Sequence, residues 1–122
     1  MGKKIVHVEF PAQDADRAET FWESFAGWSI EDSGMEGIDY RMFQEGDQGG
    51  AIYPPPDDSD MQGPIVYYGC EDIDADLAQV RELGGEADDK QPIPSVGWFA
   101  RCKDTEGNPF SLFQSDESVQ PH

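Results

Sequence analysis

Three features of the sequence predict an α+β fold in which one βαβββ unit occurs twice. IVHVEFPAQDADRA, residues 5–18, returns sixty positions later as IVYYGCEDIDADLA, residues 65–78, with identities at Ile5/Ile65, Val6/Val66, Asp14/Asp74, Ala15/Ala75, Asp16/Asp76 and Ala18/Ala78. Each copy runs from an apolar, β-branched strand through an Asp-rich break into an amphipathic helix. Between the copies, PPPDDSDMQGP combines proline stiffness with acidic solubility and reads as a linker. A chain of 122 residues is one domain by size. The expected layout is a first module over about 3–53, a linker at 54–64, a second module over about 65–115 and a tail at 116–122.

In the first strand Val6, Val8 and Phe10 alternate with Ile5, His7 and Glu9; the former set is expected to meet the helices and the latter to face away from them. Asp14 is a fitting N-cap for a helix over Ala15 to Ala26 that stops at Gly27. Ala18, Phe21, Trp22 and Phe25 recur at helical spacing and are expected in the core, with Glu19 and Glu23 in water. Strands follow at Trp28–Asp32, Ile38–Gln44 and Ala51–Tyr53. In the third strand, Ile38, Tyr40 and Met42 alternate with Asp39, Arg41 and Phe43. The second unit opens with a strand at Ile65–Cys70 and a helix over Asp74–Leu83 that stops at Gly84-Gly85. Pro92 and Pro94 confine 86–94 to an edge strand or a loop. Gly97–Asp104 and Pro109–Ser115 are strands around the turn DTEGN.

Composition narrows the function. Twenty-six acidic against eight basic side chains give a net charge of −18, which repels phosphate backbones and anionic membranes and argues against nucleic-acid or lipid partners. The start of the sequence passes directly into a strand pattern without a signal-peptide core, and no apolar run is long enough to span a bilayer, so a cytoplasmic protein is expected. Cys70 and Cys102 lie inside expected strands and read as buried, reduced thiols. The scattered acids suit a salty cytoplasm or a generally acidic proteome.

Two segments, DADRAETFWESFAGW and DTEGNPFSLFQ, together with the doubled unit, resemble the vicinal oxygen chelate superfamily of glyoxalases, bleomycin-resistance proteins and extradiol dioxygenases. The resemblance spans nearly the whole chain and rests on motifs that mark architecture, not catalysis. It implies an incomplete barrel of mixed sheet with helices outside and a ligand cavity on the concave face, and a homodimer. In metal-dependent members one ligand stands on the first and one on the last strand of each unit. Carried over residue by residue, those positions are His7, Ala51, Ser111 and either Tyr67 or Ile65. Only His7 is a metal-ligand type, so no cofactor is expected; a divalent metal stays open if Glu9 or Asp39, on the same inferred face, completes the set.

The candidate ligand-binding residues are His7, Arg41, Tyr53, Tyr67, Phe99, Arg101, Ser111 and Phe113. His7 is either a satisfied, partly buried histidine or a polar contact and general base. Arg41 and Arg101 stand sixty apart and would offer two scarce cations to an anionic or polar ligand, unless each pairs with a neighbouring acid, as Arg41 could with Asp39. Tyr53, Tyr67, Phe99 and Phe113 would supply flat apolar walls. Three functions follow: a metal-free small-molecule binding protein of the glyoxalase/bleomycin-resistance type; a metal-dependent lyase, of the lactoylglutathione-lyase kind, or an isomerase or dioxygenase; and a protein-interaction module with a vestigial cavity.

Overall fold

The computed structural model describes residues 2–55 and 63–120, so most of the expected linker and the end of the expected tail lie outside the described residues. Among the described residues two helices and nine strands occur, and the strands form a mixed sheet that does not close. The fold is α+β, as the pattern of strands and helices predicts. Two compact units arise: one holds His7–Ile65, the other Met1–Val6 with Val66–His122.

In the unit His7–Ile65, strand β1 (Ile5–Pro11) leads into helix α1 (Ala15–Ala26), followed by β2 (Glu31–Asp32), β3 (Arg41–Glu45) and β4 (Gln48–Tyr53). The order is β2-β3-β4-β1, antiparallel except for the parallel pair β4–β1. Asp14 caps α1 by accepting from the Arg17 N–H, and Gly27 ends it at φ 74°, a left-handed conformation that glycine adopts without a Cβ penalty. One sheet face buries Ile30, Phe43 and Ile52 against Phe10, Ala18, Trp22 and Trp28. The Phe43 ring stacks on Trp28 with centroids 3.9 Å apart. Gly50 makes room for it, since a Cβ there would stand 2.3 Å from Phe43 Cζ.

Three expectations are corrected in this unit. The second strand is only Glu31–Asp32, because Trp28 and Ile30 turn into the core. Phe21 and Phe25, expected in the core, are 56% and 76% exposed; only Trp22 and Ala18 of that stripe reach the sheet. The third strand has the opposite phase from that expected for a cavity-facing Arg41: Phe43 is buried beneath α1, so Arg41, two residues away, faces the helix as well. The cause is the two-residue turn Gly46-Asp47, with Gly46 at φ 58°, which pairs Met42 with Ala51. In the other unit Ser111, sixty beyond Ala51, pairs with Arg101 across the longer DTEGN turn. Arg101 therefore matches Met42 at a spacing of fifty-nine, and Arg41 matches Ala100.

In the other unit β5 (Ile65–Gly69) precedes α2 (Ile73–Glu82), β6 (Glu86–Ala87), β7 (Gln91–Ile93), β8 (Gly97–Lys103) and β9 (Pro109–Ser115). β9 runs parallel to β5 and antiparallel to β8, which β6 and β7 also join. The stretch 86–94 thus yields two short strands along β8. Asp72, two residues before the expected helix start at Asp74, accepts from the Ala75 N–H and starts α2 at Ile73. Ile73, Leu77, Ala100, Cys102 and Leu112 form the core. Burial pushes the Cys70 thiol up to about 12 and the Cys102 thiol up to about 11, and neither is in a disulfide. The N-terminal residues belong here: Gly69 N–H donates to Lys4 O, and Lys3 Nζ lies 2.7 Å from Asp76 Oδ2. Part of the expected tail is structured, with Val119 buried and its carbonyl accepting from the Ser95 N–H.

Candidate functional site

In the unit His7–Ile65, alternation along β1 sends Phe10 under α1 and leaves His7 and Glu9 on the face away from it. Parallel pairing sets Gly49 beside His7 and Ala51 beside Glu9, so the neighbouring strand offers only small residues there. A Cβ at Gly49 would stand 3.8 Å from His7 Nδ1. Tyr40 approaches from the start of β3: its hydroxyl lies 2.7 Å from His7 Nε2 and donates to Glu9 Oε2 over 2.6 Å. A tyrosine hydroxyl has one proton, and here it goes to Glu9. His7 must then donate through Nε2, which makes Nδ1 the lone-pair nitrogen of a neutral ring. Burial lowers the His7 pKa from its usual value, reinforcing the neutral form. Tyr53 joins this face, its ring 6.2 Å from that of Tyr40.

Arg41 is not part of this cluster. Its guanidinium lies 2.9 Å from Asp39 Oδ1, 2.8 Å from Asp16 Oδ1 and 3.6 Å from Glu19 Oε1, on the helix side of the sheet. The hydrogen bonds it donates to Asp39 and then Asp16 raise its pKa further. It acts as the hub of an ion-pair network joining β3 to α1. The sixty-residue repeat hides Tyr40, because β3 and β8 match at fifty-nine instead of sixty. Counting outward from Gly46-Asp47 as a tight turn would have put Tyr40 opposite Tyr53 and on the His7 face.

In the other unit, pairing places Tyr67, Ser111 and Arg101 in one row across β5, β9 and β8. Phe113 and Phe99 form the next row on the same face. Their neighbours Leu112, Ala100 and Cys102 are in the core beneath α2, so the five face the opposite way. Tyr67 and Ser111 are buried and Arg101 is exposed.

The metal set implied by the resemblance does not fit. Ala51 offers no donor and is fully buried at its position beside Glu9. Among the described residues no three His, Cys, Asp or Glu side chains gather as a metal-holding group. A catalytic divalent site ordinarily takes three protein ligands of that kind, and this donor set does not supply them.

A family model described as a glyoxalase-like domain matches residues 6–113. The chain belongs to that family. Curated relatives of this glyoxalase-like chain include proteins from Mycobacterium tuberculosis and Mycobacterium bovis that carry the provisional name glyoxylase CFP32; each is 34% identical over 120 residues, covering 90% of this chain and 43% of the relative. The chain thus spans less than half the length of those relatives. Among solved structures, a hypothetical protein from Bacillus halodurans superposes with TM-score 0.75 at 13% identity, covering 99% of this chain and 100% of that one. Methylmalonyl-CoA epimerase of Streptomyces coelicolor, in complex with 2-nitronate-propionyl-CoA, superposes with TM-score 0.70 at 18% identity, covering 98% of each chain. A glyoxalase/bleomycin resistance protein/dioxygenase superfamily member from Vibrio splendidus gives 0.69 at 11%, covering 93% and 100%. At such identities the structural likeness establishes the shared fold alone.

Proposed function

We propose that this glyoxalase-like chain is a metal-independent small-molecule binding protein of the cytoplasm that works as a homodimer. The observation that carries this reading is the Tyr40 hydroxyl bridging His7 and Glu9 on a face floored by Gly49 and Ala51. Polar groups of fixed hydrogen-bonding sense beside small residues suit an uncharged polar ligand, and the aromatic rings of Tyr40 and Tyr53 suit one with a flat apolar part. In the other unit Arg101, with Ser111, Phe99 and Phe113, offers a cation and aromatic surface that suit an anionic group. Methylmalonyl-CoA, bound in one solved structure of this fold, carries anionic groups of the kind that Arg101 suits.

A thermal-shift panel of small carbonyl metabolites, CoA thioesters and aromatic compounds, run with and without a chelator, tests the reading. A true ligand raises the midpoint by mass action, and chelation should leave that shift unchanged. Stoichiometric zinc, nickel, manganese or iron in the purified protein, with the shift abolished by chelator, would replace this function with that of a metal-dependent lyase, isomerase or dioxygenase. No shift with any compound would favour an interaction module instead.

A further inference from the structure

The solvent side of α1 carries two aromatic rings that the core does not use. Phe21 and Phe25 are 56% and 76% exposed, stacked at 5.7 Å, with Phe21 edge-on to Trp22 at 5.1 Å. Beside them, a groove of about 500 Å³ opens between the helix start and the loop from β1, walled by Ala12, Arg17, Ala18, Phe21 and Trp22. At about 100° per residue, Arg17, Phe21, Ser24 and Phe25 occupy one sector of the helix. Asp16, Glu19 and Glu23 lie on the other side, where the first two meet Arg41. The charges bordering the aromatic sector, Asp14 and Arg17, are 3.9 Å apart and cancel.

We propose that this sector of α1 is a self-complementary docking surface for a second copy of the same chain. Electrostatics permits that occupant. In a protein of net charge −18, two copies repel wherever acids face acids, and a patch of no net charge permits approach. A basic partner would be drawn to the acidic surface instead of to neutral aromatic rings. Geometry supports the same occupant. A two-fold contact needs a projection and a matching recess on one surface, because each copy gives what it receives. Phe25 is the projection, and the groove beside Arg17 is the recess, about 12 Å away along the helix axis. With the helices antiparallel about an axis near Phe21, Phe25 of each copy enters the other's groove and its ring meets the Arg17 guanidinium, a favourable cation–π arrangement. The proposal rests on the homodimer reading above and gives it a surface; ligand binding is not part of it.

Sedimentation equilibrium at low and high protein concentration tests it, comparing wild type with Phe25→Glu and the milder Phe25→Ser. Both substitutions fall on an exposed side chain, and circular dichroism checks the fold. A wild-type dimer that both substitutions convert to folded monomer supports the proposal. A dimer that survives both substitutions overturns this surface while leaving the homodimer intact. A wild-type monomer at every concentration and salt level overturns both, and assigns the aromatic sector to a different protein or to a small molecule.

Discussion

The Tyr40 hydroxyl donates to Glu9 Oε2 over 2.6 Å. Glu9 is 8% exposed, in a protein whose acids otherwise lie mostly in water, and a buried carboxylate is tolerated where donors meet it. Tyr40→Phe keeps the ring against Tyr53 and His7 but removes that donor. The expected result is a loss of about 1–3 kcal/mol of unfolding free energy, from the desolvated carboxylate it leaves with one bond fewer. Urea denaturation measures it. An unchanged midpoint would show that the hydroxyl contributes nothing to the native state.

His7 predicts the acid-side behaviour. Burial holds its pKa below the usual 6.5 in the native state. As pH falls from about 7, the unfolded chain takes up a proton that the native chain refuses, so stability is full above the unfolded value and declines as pH drops through the folded one. His7→Gln should flatten the stability profile between about pH 5 and pH 7. The lowered carboxyls of Asp76, Asp104 and Asp116 act below the ordinary carboxylate range and leave that window clear. An identical slope in wild type and variant would remove His7 from the account.

What the sequence revealed, and what it hid, follows from which interactions are local. The α1 boundaries, its Asp14 cap and the Gly27 stop were legible because caps and stops act within one turn of the residues that cause them. Alternation in β1 was legible because the apolar Val6, Val8 and Phe10 interleave with the polar His7 and Glu9. The phase of β3 was not, since a two-residue turn against a five-residue turn shifts pairing by one position and turns every side chain over. Arg41 and Tyr40 exchanged faces for that reason. Phe21 and Phe25 were misplaced because helical spacing reports which residues are apolar and says nothing about what covers them.

Arg41 and Arg101 therefore part company in a mutational test. Arg41→Ala leaves Asp39, Asp16 and Glu19 facing one another without their shared cation, and should cost about 1 kcal/mol of stability, the exposure of Asp16 keeping the figure low. It should leave the affinity for an anionic ligand alone. Arg101→Ala, at an exposed side chain beside the buried Ser111, should weaken that affinity with little change in stability. Denaturation and titration on both variants separate the roles; a reversed pattern would mean that the face assignments of the two strands are wrong.

Gly97 and Gly107 test how tightly the second hairpin is built. A Cβ at Gly97 would stand 2.1 Å from Gln114 O and 3.1 Å from Asp116 N, both backbone atoms of the segment paired with it. Backbone cannot swing aside as a side chain can, so Gly97→Ala must push β9 away. That movement would also strain the bond from the Asp116 N–H to Val96 O and the docking of Val119. A loss of about 3 kcal/mol or more is expected, at the upper end for overpacking. At Gly107 the space is open and the obstacle is φ of 84°, so alanine there should cost only about 1–2 kcal/mol. Denaturant midpoints of the two alanine variants decide the matter: Gly97→Ala should fall well below Gly107→Ala. Equal losses would mean that the start of β8 yields without cost, and that the close approach to Gln114 does not constrain the hairpin.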